Sequence, residues 1–350
     1  MKRVTIKDIA REAGTSYVTV SHYLNKRGEK FSVETAARIE AAIKKLGYIP
    51  NRAARKLARR RSYTIGIVLP PAPEDILPAS LLRDNPFYNE FVAGVQARAW
   101  EYDTDVVLTG YENDEGVLEW ILSYQLDGVI FFSSEMAKKI REEAKRKRLD
   151  LQTIFIGLDV STDSVDASVT IDEASGIMQA VSHLVGLGHR RIALATGDYH
   201  TSPVNAARYA AYKQALTEAN LLEDQELVLV DEVSLEGGKR IGERLLPLMK
   251  NHRVSAVVCV ADILAAGIYK TLLRAGKRMP DDLSITGFDD LFIATLLEPE
   301  LTTVKQDVAR RAALCVDLIE GFYQGKTLQS LQMPVELVLR HSTAPYKHAR

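Results

Sequence analysis

The feature that most constrains this chain of 350 residues is its first fifty, whose pattern is typical of three short helices. Apolar side chains from Ile6 to Ala13 recur at intervals of three and four residues. Thr5 and Asp8 form a suitable capping pair for this helix, and Gly14 ends it. We therefore expect a first short helix that stops at a tight turn.

A second helix follows that turn, with Ser16 as its cap and with Val20 and Leu24 facing inward. A third apolar stripe, over residues 32–46, closes a three-helix core. Two helices joined by a tight turn, the second with an exposed outer face, form a helix-turn-helix. Residues 1–50 therefore predict a headpiece that binds double-stranded DNA.

Charge divides the chain at the same place. Residues 1–61 hold 16 lysines and arginines against 5 acidic residues, whereas the remainder holds 29 against 41. A basic module on an acidic body is expected when one end of a protein meets polyphosphate. A solvated basic tail is the alternative interpretation, but these charges alternate with an ordered apolar pattern, which favours DNA binding.

From residue 62 onward, strand-like and helix-like segments alternate, which predicts parallel sheets. The pattern restarts after a connection near 159–166, so we expect an α/β body of two Rossmann-like lobes. Such lobes bind ligands in the crevice at the carboxyl ends of their strands. The predicted strands are 64–69, 105–108, 127–132 and 153–157 in the first set, then 191–195, 227–230, 256–260 and 284–288.

Other classes of protein receive less support. The sequence has no apolar run long enough for a membrane span and no signal segment behind Lys2 and Arg3, so neither membrane nor export is expected and the predicted location is cytoplasmic. Cys259 and Cys315 are interpreted as buried apolar residues. No phosphate loop, dinucleotide fingerprint, metal-spaced histidine pair or nucleophile triad is present, so we expect no cofactor, no metal and no enzyme.

Two alternatives stay open at this point. A solute-binding protein for transport would have the same two lobes, although the headpiece and the missing signal segment argue against it. An enzyme with a nucleotide pocket would also fit two Rossmann-like lobes, although the catalytic motifs are missing. The scattered histidines, which such an enzyme could use, are interpreted as structural or surface residues.

Several motifs together give the chain its resemblance to a known family: 17–21 with 24–25 in the headpiece, and 85–88, 126–130, 188–193, 280–290 and 301–306 in the body. The chain resembles the LacI/GalR family of bacterial transcription regulators. That resemblance implies a helix-turn-helix headpiece, a hinge helix and two lobes of periplasmic-binding-protein type. It also implies a homodimer, usually a repressor, that binds a pseudopalindromic operator under the control of a small effector such as a sugar.

The resemblance also assigns residues to the DNA interface. Tyr17, Val18 and His22 match the base-reading positions, and the family most often has arginine where His22 stands. A neutral imidazole cannot make the bidentate contact of arginine with guanine, so the operator is expected to differ there. Tyr17 could instead pack on the headpiece surface. The complete set is Thr5, Ser16, Tyr17, Val18, Thr19, Ser21, His22, Asn25, Asn51, Ala54, Arg55 and Leu57.

Residues 51–61 are similar to the family's hinge helix. This segment is short and rich in like charge, so it should be a marginal helix when isolated. In the family, two hinge helices pair in the minor groove, and Leu57 matches the residue that inserts between base pairs, with Ala54 at the close contact. The alternative is a basic linker whose Leu57 packs on the body.

Effector residues are expected where strands end. By resemblance, Asp289 matches the ligand-contacting acid and Arg208 an arginine that reaches the effector, although a surface ion pair is the alternative for Arg208. Asp159 and Asp262 match positions where relatives present polar contacts, and Asp290 is predicted to cap the next helix. Two aromatic residues, Phe87 and Tyr88, could stack on a sugar or base, or pack in the core.

The predicted domains follow from these assignments. A coiled-coil tetramer is not expected because the chain ends without leucine heptads, so a dimer is preferred. The domains are the headpiece (1–50), the hinge helix (51–61) and the effector-binding and dimerisation core (62–350), with lobe 1 at about 62–160 and 305–330 and lobe 2 at about 161–304 and 331–342.

Overall fold

The structure is a computed structural model that describes residues 4–24, 30–48, 61–70, 82, 85–159 and 163–347. The chain divides into two compact units, Met1–Arg61 and Ser62–Arg350. None of the helices in the described part of the chain combines the length and apolarity that a membrane span requires.

The first unit is the three-helix headpiece that the periodicity predicts, with helices α1 (Ile6–Glu12), α2 (Tyr17–Leu24) and α3 (Val33–Leu46). The Asp8 carboxylate accepts hydrogen bonds from the backbone N–H and hydroxyl of Thr5, at 2.9 and 2.7 Å. At the start of α2, Ser16 Oγ accepts from Thr19 N at 3.0 Å. The fully buried core of this unit is formed by Ile9, Val20 and Ile39, one residue from each helix.

The first lobe of the second unit has one six-stranded sheet covered on both faces by helices. Its strand order is β11-β5-β4-β3-β1-β2, and every pairing is parallel. Continuous apolar runs form the central strands because both faces are buried. The elements are β1 (Thr64–Leu69), α4 (Pro86–Glu101), β2 (Asp105–Gly110), α5 (Asp114–Tyr124), β3 (Gly128–Phe131), α6 (Ser134–Arg146), β4 (Ile154–Gly157), β5 (Ala167–Ile171), α12 (Val308–Tyr323) and β11 (Leu331–Met333).

The second lobe repeats this plan with the order β12-β10-β9-β8-β6-β7, in which only the edge strand β12 is antiparallel. A fully buried Tyr212 and Phe288 are among its largest core side chains. The elements are α7 (Glu173–Gly186), β6 (Ile192–Thr196), α8 (Pro203–Glu218), a 3₁₀ turn (Gln225–Leu227), β7 (Val228–Val230), α9 (Leu235–Lys250), β8 (Ala256–Cys259), α10 (Asp262–Arg274), β9 (Ser284–Asp289), α11 (Phe292–Leu296), β10 (Thr302–Lys305) and β12 (Glu336–Val338).

The predicted lobe boundaries need correction at two strands. The sequence assigned 161–304 and 331–342 to the second lobe, but β5 pairs with β4 and β11 pairs with β5, so both belong to the first sheet. The connection at 159–166 therefore joins two neighbouring strands of one lobe. The acidic, turn-rich composition of that loop resembles a domain connection, which is why the sequence was misleading.

The chain crosses between the lobes three times, after β5, after β10 and after β11. These crossings are linked to one another by hydrogen bonds. Asp172 N donates to Met333 O at 3.0 Å, which joins the first crossing to the third. Arg311 follows the second crossing, and its Nε donates to Val169 O in β5 at 2.9 Å. The three crossings thus form one connected hinge.

The body begins with an anchored segment. Asp127 precedes β3, and its two carboxylate oxygens accept hydrogen bonds from Ser62 N and Tyr63 N, each at 2.8 Å. Tyr63 has φ of 52°, a left-handed conformation that is uncommon for a bulky residue. A buried carboxylate with two N–H donors is a strong local restraint, so the start of β1 is held at a fixed place in the first lobe.

Candidate functional site

A cleft of about 840 Å³ lies between the two lobes of the body, at the carboxyl ends of their strands. This is the edge at which open α/β sheets bind ligands. Both lobes and the second crossing contribute to its wall. The polar, charged and aromatic residues that line it include Asn85, Phe87, Tyr88, Phe132, Asp159, Glu173, Ser202, Asn205, Arg208, Glu232, Ser234, Glu236, Asp289, Gln306 and Arg311.

The first-lobe wall is aromatic. Phe87 and Tyr88 stand in the first turn of α4, and the ring of Phe132, just after β3, meets both of them edge to face at centroid distances of 6.1 and 4.9 Å. Burial, together with the negative charge of Asp289, raises the pKa of Tyr88 to about 12, so its hydroxyl keeps its proton. The sequence pointed to Phe87 and Tyr88 but not to Phe132, because Phe132 belongs to an apolar run that is typical of a core strand.

Asp289 ends β9 on the second-lobe wall. Its φ of 119° is rare for an L-residue and marks a backbone held in place by its surroundings. Gln306 Nε2 donates to Asp289 Oδ1 at 2.5 Å. Burial raises the pKa of Asp289 to about 7, against the opposing effects of Arg208 and of the Gln306 hydrogen bond. Within the described chain no hydrogen bond to Oδ2 is found, so this oxygen is left for a ligand.

Arg208 lies beside Asp289 but is largely occupied by the protein. Its Nε donates to Glu173 Oε2 at 2.6 Å, and its Nη1 donates to the carbonyl of Val260. The guanidinium carbon stands 3.7 Å from the centroid of the Phe288 ring. The alternative of a surface ion pair for Arg208 is wrong, because the pair with Glu173 lies in the cleft wall, where the two side chains are only 8% and 12% exposed.

Gln306 and Arg311 were missed by the sequence analysis. Arg311 is buried in the first turns of α12 and donates to three acceptors: Val169 O, Gln306 Oε1 at 3.0 Å, and the carbonyl of Leu158. Burial lowers the pKa of Arg311 from its usual range. An arginine within the apolar stripe of a helix is the signal that could have revealed this residue.

Two acids that the sequence proposed as effector contacts have structural tasks. Asp159 lines the cleft, but both carboxylate oxygens accept from Ser134 N at 3.0 Å and so cap α6. Asp262 has no exposed surface and does not line the cleft, because its oxygens accept from Thr303 Oγ1 at 2.5 Å and Leu291 N at 2.9 Å. Burial and the charge of Asp289 raise the pKa of Asp262 well above its usual value.

The interpretation of Asp262 as a ligand contact is therefore corrected. A residue directly after a strand can point into the cleft or back under the sheet, and periodicity does not distinguish these directions. The prediction that Asp290 caps the next helix is also wrong. Asp290 pairs with Arg340 at 2.5 Å, and α11 starts from Leu291 without a side-chain cap.

In the headpiece, α2 presents the residues that the resemblance assigned to base reading. Tyr17 is 56% exposed and Val18 is 45% exposed. Ser16 and Thr19 share a hydrogen bond of 2.9 Å in the first turn, and Thr5 is engaged with Asp8. Ser21 and His22 are half-buried. Asn25, Asn51, Ala54, Arg55 and Leu57 lie outside the described residues.

A helix-turn-helix headpiece and a two-lobed body with a central cleft are the plan of a DNA-binding transcription regulator. Residues 5–51 match the model of bacterial regulatory proteins of the lacI family, and residues 181–343 match a periplasmic binding protein-like domain. The HTH-type transcriptional regulator RegA of Clostridium saccharobutylicum is 32% identical, over 97% of this chain and 99% of its own length.

Two further comparisons agree. The ribose operon repressor of Escherichia coli K12 is 31% identical, over 96% of this chain and 98% of its own length. A solved structure of the lac repressor dimer bound to operator and the anti-inducer ONPF superposes with a TM-score of 0.74 at 27% identity, covering 98% of this chain and all of that one. The chain belongs to the LacI family of bacterial regulatory proteins and is a DNA-binding transcription regulator.

Proposed function

We propose that this regulator is a homodimeric repressor whose affinity for operator DNA is set by a small carbohydrate bound between the lobes. The observation that carries this proposal is the cleft itself, where the open oxygen of Asp289 faces an aromatic wall built on Tyr88 and Phe132. A carboxylate that accepts from hydroxyl groups, opposite aromatic faces that cover C–H groups, is suited to a sugar. A LacI-family relative from Enterococcus faecium, 28% identical, was solved with bound ribose.

On the DNA side, we assign base reading to the exposed face of α2. Tyr17 and Val18 stand free of the headpiece core, whereas Val20 is fully buried in it. A dimer with two such headpieces would read a pseudopalindromic site, one half-site per subunit. We further assign Leu57 to the minor-groove contact that the resemblance implies. A protein with this role would act in the bacterial cytoplasm, where the DNA is.

Ligand and DNA are coupled in this proposal through lobe closure. A ligand that touches both walls of the cleft stabilises one lobe arrangement over another, and it controls DNA affinity only by that difference. The three connected crossings restrict the motion that closure requires. The sugar leaves the cleft chemically unchanged, so turnover of a bound sugar would contradict the proposal.

The test measures DNA binding of the full chain. Random duplexes are selected for binding, and the affinity for the selected site is then measured by fluorescence anisotropy at several salt concentrations, with and without sugars. We expect a pseudopalindromic site, a steep loss of affinity with salt, and a change of affinity on adding one of the sugars. If no duplex is preferred, or if no sugar changes the affinity, the proposal fails.

Leu57→Ala tests the DNA contact. We expect a loss of operator affinity of roughly tenfold or more, since an intercalated side chain supports the bent duplex. Leu222→Ala is the matched control, because Leu222 is 95% exposed on the second lobe. Wild-type affinity for Leu57→Ala would remove the minor-groove assignment.

A further inference from the structure

We infer that the cleft selects an uncharged polyhydroxyl ligand and rejects the phosphorylated or carboxylated forms of the same sugar. This inference rests on the proposed function, because it specifies the ligand of the same cleft. Anion-binding sites in proteins use arginine forks or free N–H groups at helix starts. The described walls of this cleft contain arginines and helix starts, but acceptors of the protein itself already bind to nearly all of them.

The two arginines in the cleft wall have their donors directed inward. Arg311 uses Nε, Nη1 and Nη2 on Val169 O, Gln306 Oε1 and Leu158 O. Arg208 uses Nε on Glu173 and one N–H of Nη1 on a backbone carbonyl, which leaves the N–H groups of Nη2 and the second N–H of Nη1 for a ligand. Because Nε is engaged, Arg208 cannot bind a phosphate through the parallel N–H groups of Nε and Nη2, and its charge is already paired with Glu173.

The helix starts at the cleft are also occupied. Besides α12, where the Asp307 side chain accepts from Arg310 N, six helices of the described chain begin there, and in five of these a side chain already accepts from a backbone N–H of the first turn. The sixth, α10, has no side-chain cap, but its first residue is the buried acid Asp262. The capping pairs are Asn85 with Phe87 N, Asp159 with Ser134 N, Asp172 with Ser175 N, Ser202 with Asn205 N, and Ser234 with Gly237 N.

The remaining charge in the cleft is negative. Of the described lining residues, five are acidic and two are basic. At the rim, Glu232 pairs with Arg240 at 3.9 Å, and Glu236 pairs with Lys239. Deeper in the cleft, Glu173 is paired with Arg208, while Asp289, whose pKa burial raises to about 7, adds a negative charge when it loses its proton. Among the described lining residues, the two cations Arg208 and Arg311 are already engaged by acceptors of the protein, so an anionic ligand would meet these carboxylates, and like charges in contact oppose binding.

Neutral hydroxyl groups match what the cleft does offer. Asp289 Oδ2 can accept from a hydroxyl, and Arg208 Nη2 can donate to one. A sugar hydroxyl is both a donor and an acceptor, whereas a phosphate dianion presents acceptors only. The aromatic wall of Phe87, Tyr88 and Phe132 can cover the apolar face of the ring. Each of these groups serves an uncharged sugar better than its phosphate.

The experiment compares matched ligands on the full chain by thermal shift and then by calorimetry. The pairs are ribose with ribose 5-phosphate, glucose with glucose 6-phosphate, and cellobiose with cellobiose 6-phosphate, together with gluconate and galacturonate. For the pair whose neutral member binds, we expect the dissociation constant of the charged form to be at least about tenfold larger. Higher salt should narrow the gap, because screening weakens the repulsion.

The possible outcomes distinguish a failure of the charge selectivity from a failure of the carbohydrate effector. A charged form that binds as tightly as its neutral partner, or more tightly, overturns the inference but leaves the sugar-controlled regulator intact. If no sugar of either kind stabilises the protein, the proposed carbohydrate effector fails and the inference falls with it.

A variant tests the physical cause. Glu173→Gln keeps the shape of the side chain but removes the charge that pairs with Arg208, so the arginine can respond to an anion. We expect the neutral-to-phosphate discrimination to fall severalfold relative to wild type. Glu243→Gln is the matched control, since Glu243 is an exposed acid on the same helix as Glu236 and does not line the cleft. Unchanged discrimination in Glu173→Gln would contradict the assigned role of this ion pair.

Discussion

The ionised side chain of Asp289 lowers the free energy of unfolding by an amount that can be measured. Its ordinary pKa of 3.8 is raised to about 7 in the folded protein by burial. The native state therefore binds this proton more tightly than the unfolded chain does, so the contribution of Asp289 to stability is complete below about pH 4 and is lost as the pH rises towards 7. The residue is nevertheless placed at the cleft, as expected for a functional group that the rest of the fold must support.

Asp289→Asn removes this destabilising buried charge. At pH 8 we expect the variant to be more stable than wild type by on the order of 1–3 kcal/mol, and the difference should vanish towards pH 4. Urea unfolding followed by tryptophan fluorescence reports on the body, since Trp100 and Trp120 both lie there. Asp281→Asn, at an exposed acid, should show little effect at either pH. If the variant is less stable than wild type at pH 8, the buried charge of Asp289 does not destabilise the fold.

At the scale of single residues, the sequence identified strand ends better than side-chain directions. Asp289 and Arg208 were expected at the cleft and lie there, while Asp262 satisfies the same pattern and points into the core. Gln306 and Arg311 could not be found, because their importance comes from the second crossing, which brings them to the cleft wall. Only the arrangement of chain segments distant in sequence reveals such residues.

At the scale of elements, the exposed Tyr17 and the buried Val20 of α2 are expected to act differently, the first on DNA binding and the second on stability. Tyr17→Ala should lower affinity for the selected operator by roughly tenfold or more, while leaving binding to random DNA and helix content unchanged, because Tyr17 is exposed. Val20→Ala should instead destabilise the headpiece by about 2 kcal/mol, because Val20 is fully buried. Circular dichroism and anisotropy separate the two effects. Equal loss of specific and random binding in Tyr17→Ala would argue against base reading.

The anchored start of β1 gives a second prediction at this scale. Asp127→Ala leaves the N–H groups of Ser62 and Tyr63 without their carboxylate partner, so we expect a loss of about 2–4 kcal/mol in the free energy of unfolding. Sugar affinity should persist in the folded fraction, because Asp127 precedes β3 and the cleft lies at the opposite end of that strand. Denaturation and calorimetry provide the two readouts.

Asp150→Ala is the control for this variant, since Asp150 lies in an exposed loop. A neutral effect of Asp127→Ala on stability would show that the two N–H groups find water or other acceptors without cost.

Elements with strong periodicity were predictable, whereas the sheet to which two short strands belong was not. The stripes of α1 to α3 and the apolar runs of β1, β3, β4 and β8 are continuous signals of local burial. By contrast, β5 and β11 were assigned to the wrong lobe, because short strands acquire their partners through pairing that is distant in sequence. The membership of a strand in a sheet is a tertiary property.

For the whole molecule, the two compact units predict separable activities. A fragment that begins at Ser62 should bind the same sugar with wild-type affinity but should not bind DNA, because the excess of basic residues lies in 1–61. Calorimetry and anisotropy check both statements. Salt-dependent DNA binding by the fragment would contradict the division, as would a loss of sugar binding in a fragment that remains folded.

The three hydrogen-bonded crossings also limit the conformational changes that a bound ligand can cause. Three neighbouring segments that are hydrogen-bonded to one another favour a single hinge rotation of the lobes. The response therefore depends on the extent of that rotation and not on the chemical identity of the ligand. Replacing the cleft residues should therefore change which metabolite is sensed without redesigning the response to it. The identity of the effector and the mechanism of the response can therefore change independently.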